Sequence, residues 1–123
     1  MKITGLLLAA GAGTRFGGGK LLAEVQPGVP MCVASSRNLA QAVDEVVAVV
    51  RAGDSEVRAA LAATAGAAVI DCARAHEGMS ASLVCGILAS GGTDAWVVAL
   101  ADMPLIRAST VAAIVNAMRG GAR

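Results

Sequence analysis

Aromatic residues are almost missing from this sequence: one Phe, one Trp and no Tyr among 123 residues. A platform for single-stranded nucleic acid needs several exposed rings on which bases stack, so that function class is excluded. Charge of one sign is missing too. Ten basic against nine acidic side chains leave a net charge of +1. Such a balance gives no electrostatic footprint for a nucleic-acid backbone or an anionic membrane. With His76 as its single histidine, the chain is a poor candidate for an imidazole-rich zinc site. No apolar run reaches the roughly 18–20 residues of a membrane span. The hydrophobic fraction of 56%, against 15% charged residues, excludes a disordered tail.

Cysteines are few and far apart. Cys32, Cys72 and Cys85 show no Cys-x-x-Cys spacing. An odd number in separate apolar contexts predicts reduced, buried thiols in a cytoplasmic protein rather than a disulfide frame. Neither Cys72 nor Cys85 has an adjacent base that would make it a nucleophile, and His76 reads as a surface residue. The first residues, Lys2 followed by Ile3 to Ala12, mimic a secretory signal. A buried first strand accounts for them better, because it also fits the pattern of the remaining chain.

That pattern is a strict alternation. Apolar runs of strand length are read at Lys2–Ala9, Glu45–Val50, Ala67–Asp71 and Ala95–Leu100. Helices are read between and after them, over Pro30–Val43, Ser55–Thr64, Ser80–Ser90 and Ser109–Met118, with Asp54 as an N-cap and Gly66 as a stop. Unbroken apolar strands separated by helices mean a parallel sheet covered on both faces. Four βα units with right-handed crossovers make an α/β fold with an open, doubly wound, mostly parallel sheet. Four strands are few for such a sheet. The last one is expected to have an uncovered edge, completed by a second copy of the chain or by a missing remainder.

Between the first strand and the first helix lies LLLAAGAGTRFGGGK, rich in glycine and carrying Arg15 and Lys20. Glycines let backbone N–H groups converge on an anion, and two cations close such a cage. A P-loop would need Gly at position 14 and Ser or Thr at 21, where Thr14 and Leu21 stand. A dinucleotide fingerprint would need Gly at position 16, where Phe16 stands. The pattern that remains is L-A-A-G-x-G-T-R-x-G-x-x-K, from Leu8 to Lys20. Two further segments lie downstream. Glu77-Gly78-Met79-Ser80-Ala81-Ser82-Leu83 opens the helix after the third strand, where Ser80 or Ser82 is expected to cap it. Leu100-Ala101-Asp102-Met103-Pro104 ends the fourth strand, at the edge where open α/β sheets bind ligands.

These three segments, in this order, resemble the signatures of the nucleotidyltransferase family that includes the molybdenum cofactor cytidylyltransferases. Sugar-phosphate nucleotidyltransferases differ by a longer gap and a Pro before the Lys. Phe16 departs from the Met usual in the family. The resemblance implies a Rossmann-like fold of the nucleotide-diphospho-sugar transferase type. It makes residues 1–123 the nucleotide-binding part of one domain, with the acceptor-binding part lying beyond Arg123. It implies transfer of CMP from CTP to the phosphate of molybdopterin, with Arg15, Lys20 and Asp102 in the reaction and Asp102 holding Mg²⁺. Leu8, Ala9, Ala10, Gly11, Ala12, Gly13, Thr14, Gly78, Ser80, Ser82 and Ala101 are the implied nucleotide contacts. A molybdoenzyme that receives the cofactor is an implied partner. The methyl of Ala10, where guanylyl-transferring relatives carry Gly, narrows the slot beside the base and favours a pyrimidine. Two alternatives stay open: transfer to another phosphorylated acceptor, and a non-catalytic module that binds a nucleotide or cofactor.

Overall fold

The computed structural model describes residues 2–10, 19–63 and 67–101. Strand β1 (Ile3–Ala9) is buried at every position and lies between β4 (Glu45–Arg51) and β6 (Ala95–Leu100). β5 (Ala67–Cys72) pairs with β4, giving the order β5-β4-β1-β6, all parallel. Helix α2 (Met31–Ala40) connects β1 to β4, α3 (Ser55–Ala62) connects β4 to β5, and α4 (Met79–Ala89) carries the chain back across the sheet to β6. The strand order therefore reverses at β1. A short helix α1 (Gly19–Leu22) and a hairpin of β2 (Glu24–Gln26) and β3 (Val29–Pro30) precede α2.

Alternate residues of β1 face opposite layers. Gly5 lies under Leu39 of α2, and an added Cβ would stand 2.6 Å from Leu39 Cγ. Ile3, Leu7 and Ala9 share that face with Val57 and Leu61 of α3. Leu6 points the other way, where Gly86 of α4 leaves only 3.1 Å for a Cβ against Leu6 and Val49. Leu8, Ala10, Val49, Cys72 and Ala75 form the smaller core on this second face. Small residues set the spacing there, because α4 meets the sheet through Gly86 and the buried Ser82 and Ser90.

The expected α/β architecture and its four parallel strands are present. β6 has the expected bounds and the other strands differ by one residue. As expected, Asp54 caps α3, accepting a hydrogen bond from the Val57 N–H at 3.4 Å. Helix α2 is shorter than expected. It ends at Ala40, with Gln41 as its C-cap, and the Ala42 N–H turns to the Leu39 carbonyl. That stop frees Asp44 to bond the start of β1. The β2–β3 hairpin was not foreseen; its turn is Pro27-Gly28, with Gly28 at φ +77°, the pairing that a type II turn favours. The expected helix at 109–118 and the stop at Gly66 lie outside the described residues.

The cysteines correct the sequence reading. Cys72 and Cys85 form a disulfide, and only Cys32 is a free, buried thiol. The end of β5 and the sheet-facing side of α4 bring their Cα atoms to 6.1 Å, inside the range a disulfide bridges. The expectation of reduced thiols fails because the bridge depends on packing rather than on a sequence motif. No described helix is long and apolar enough to cross a membrane.

Candidate functional site

In open α/β sheets, ligands bind beyond the carboxyl ends of the strands where strand order reverses. Here that point lies between β1 and β6. The two strands stay paired almost to their ends: Leu8 matches Leu100, and the Ala101 N–H donates to the Leu8 carbonyl at 3.0 Å. Beyond them Ala9, Ala10 and Ala101 are 5%, 6% and 1% exposed, so the floor is made of methyl groups. Ser35 of α2 donates its hydroxyl to the Ala101 carbonyl at 2.8 Å, with the pair buried. This bond fixes the backbone immediately before Asp102. Sequence reasoning missed Ser35, since a contact across 66 residues leaves no local signal.

Helix α4 supplies the third wall. Its N-cap is Gly78, at φ +116°, a conformation that side-chain-bearing residues rarely adopt. No side chain caps the helix. The expectation that Ser80 or Ser82 would do so is therefore corrected. Ser80 is exposed in the first turn, and Ser82, a turn further in, is 1% exposed and faces inward. Its hydroxyl has no hydrogen-bond partner. Its level on the sheet is set by its neighbours one and two turns on: Gly86 sits over Leu6, and Ser90 accepts from the Trp96 indole at 2.9 Å beside Thr4. Stepping four residues back along α4 puts Ser82 at the level of Leu8.

Leu8, Ala9, Ala10, Gly78, Ser80, Ser82 and Ala101 thus belong to one end of the sheet. Gly11, Ala12, Gly13, Thr14, Arg15 and Asp102 lie outside the described residues, and Lys20 falls in α1. Among the described residues no three His, Cys, Asp or Glu side chains cluster as a metal site. The sequence nevertheless sets Asp102 next to Ala101, whose carbonyl is held. One carboxylate completed by substrate phosphates is a common Mg²⁺ donor set.

Comparison with known proteins agrees with the fold. The MobA-like NTP transferase domain matches residues 5–123. A nucleotidyl transferase from Methanothermobacter thermautotroptrophicus superposes with a TM-score of 0.81 at 29% identity, over 94% of this chain and 57% of its own. Rv0371c from Mycobacterium tuberculosis H37Rv gives 0.77 at 26% identity, over 98% and 62%, and is also known as a manganese complex. A CMP:2-keto-3-deoxy-manno-octonic acid synthetase complexed with CTP gives 0.76 at 25% identity, over 98% and 48%. The chain therefore spans about half to three fifths of these structures. No curated protein sequence matches it.

Proposed function

Because the chain belongs to the MobA-like NTP transferase domain family, we propose that residues 1–123 form the nucleotide-binding part of a nucleotidyltransferase domain. In this reading CMP passes from CTP to the phosphate of a molybdopterin-type acceptor, and pyrophosphate leaves. The observation that carries it is the β1–β6 reversal. In sequence a glycine-rich stretch with two cations follows one strand and a carboxylate follows the other, and helix α4 carries the buried, unpartnered Ser82 hydroxyl.

The chemistry asks little of the side chains. An acceptor phosphate oxygen, already ionised at pH 7, attacks the α-phosphorus of CTP. A new P–O bond forms as the bond to the β-phosphate breaks, and no proton has to be removed. Catalysis is then positioning plus charge stabilisation. The N–H groups of Gly11 to Thr14, with Arg15 and Lys20, neutralise the triphosphate. Asp102 is the residue that would hold Mg²⁺, which when bound supplies positive charge to the phosphates. Ala10 narrows the slot beside the base, and Ser82 offers its hydroxyl there. The solved structure of a CTP-bound relative supports the choice of nucleotide.

The test is pyrophosphate release from CTP and molybdopterin with Mg²⁺, alongside thermal shifts with CTP, GTP, ATP and UTP. The largest shift is expected with CTP. Asp102→Asn is expected to abolish the Mg²⁺ dependence of CTP binding without unfolding the chain. Binding with no pyrophosphate release would point to a binding module, and release with another phosphorylated acceptor only would move the reading to that acceptor. No shift with any nucleotide would overturn it.

A further inference from the structure

The disulfide closes a loop around one wall of the candidate site. Cys72 is the last residue of β5 and Cys85 lies in the middle of α4. Between them run the 3₁₀ turn Ala75–Glu77, the Gly78 hinge at φ +116°, Ser80 and Ser82. Gly78 gives that stretch a glycine's backbone freedom, and no side chain caps the helix that starts behind it. The covalent link across 13 residues adds to the hydrogen bonds of the turn, from the Glu77 N–H to the Arg74 carbonyl and from the Gly78 N–H to the Ala75 carbonyl, in restraining it.

The two sulfurs differ in access. Cys72 is 1% exposed. Cys85 lines an open groove of about 390 Å³ with Arg74, Glu77, Ser80, Val84 and Leu88. The guanidinium of Arg74 is held there by Glu77 through two hydrogen bonds of 2.7 and 2.8 Å. Of the two cysteines only Cys85 lines this groove, so it is the one that a small thiolate entering there can approach. The third cysteine takes no part, since burial encloses Cys32 and pushes its thiol up.

We propose that Cys72–Cys85 is a redox clamp on residues 73–84, opened by small thiols at Cys85 and closed by low-molecular-weight disulfides. In opening, a thiolate RS⁻ attacks the Cys85 sulfur, forming RS–Cys85 and releasing the Cys72 thiolate. A second RS⁻ attacks the R sulfur of that mixed disulfide, freeing the Cys85 thiolate and leaving RSSR. Two thiols are oxidised as the protein disulfide is reduced, and closing is the reverse. The clamp's effect on nucleotide binding rests on the proposed role of Ser80 and Ser82 at the nucleotide. Closed, it holds both serines in place; open, it lets the segment fray, and the nucleotide must order it on binding.

The test poises the full chain in mixtures of reduced and oxidised glutathione. It follows amide exchange, CTP–Mg²⁺ affinity and the mass of trapped species. Reduction is expected to speed exchange at residues 73–84 about tenfold or more, to leave β1 and β4 unchanged, and to weaken CTP binding several-fold. Cys85→Ser should resemble the reduced protein and ignore the redox poise, while Cys32→Ser should respond like the parent. Should Cys85→Ser fail to fold, reduced parent protein carries the same readouts. Equal exchange in both states, or glutathione trapped on Cys72, overturns the clamp. Faster exchange with unchanged CTP affinity overturns its control of the site and leaves the nucleotide reading standing. Faster exchange with no CTP binding in either state overturns the nucleotide reading and leaves the clamp.

Discussion

The two ends of the parallel sheet are built from different chemistry. At the amino end of the strands polar groups are numerous and paired. The Ile3 N–H donates to the Asp44 carboxylate at 2.7 Å and the Lys2 N–H to Asp94 at 2.6 Å, while the backbone N–H of each aspartate returns a bond of 2.9 Å. Thr4 bonds both Glu45 and Thr93 there, and the Lys2 ammonium reaches Glu45 at 3.1 Å. At the carboxyl end stand three alanines, a glycine at positive φ, a helix without a side-chain cap and a buried hydroxyl without a partner. A protein that only had to be stable would satisfy both ends. Among the described residues one end is finished by its own pairs, and the other holds the groups that the proposed reading assigns to a nucleotide.

Substitutions at the two ends should therefore separate affinity from stability. The largest effect belongs to Lys20→Ala, which should weaken CTP binding about 10- to 100-fold by removing a charged partner of the phosphates. Cytidine binding and the thermal midpoint should hold. Equal losses for CTP and cytidine in calorimetry would detach Lys20 from the triphosphate. The mirror experiment is Asp44→Ala, which should cost about 1–2 kcal/mol in urea unfolding, since it strips the Ile3 N–H of its partner. CTP affinity should not move, and a matching loss of binding would mean that the ends are coupled.

Ser82→Ala should do something less usual. Removing an unsatisfied buried hydroxyl should raise stability by about 1 kcal/mol while CTP binding falls. Ser36→Ala is the control, because Ser36 is equally buried and unpartnered but lies on α2. It should raise stability with affinity unchanged. A gain in stability with no loss of affinity for both would make Ser82 a packing residue. The smallest effect should come from Ala10→Gly, which widens the slot by one methyl and should lower the CTP-to-GTP preference by about tenfold or less. A ratio that stays put would show that other residues read the base.

Legibility in the sequence differed between the ends for physical reasons. The strands were readable because burial on both faces enforces unbroken apolar runs such as EVVAVV, and turn residues bound them. The carboxyl ends of β1 and β6, after which the glycine-rich stretch and Asp102 follow in sequence, were readable from two such runs. The amino-end pairs were not, although Asp44 and Asp94 each stand directly before a strand, because their partners lie 41 and 92 residues away. The same limit hid Ser35 and the disulfide. Ser82 misled for another reason. A serine near a helix start is the standard cap, but here Gly78 ends the preceding turn and sets the helix phase so that Ser82 faces inward.

The place of β1 at the reversal also bears on the order in which the chain acquires its structure. Of the four parallel strands β1 is made first, yet its partners are Glu45 to Val50 on one side and Ala95 to Leu100 on the other. At about 5–20 residues per second, roughly 5–20 s pass between synthesis of Ile3 and of Ala95. During that interval Leu6, Leu7 and Leu8 have at most one neighbouring strand. Of the four parallel strands, the one buried at every position is thus the one that waits longest for its last neighbour.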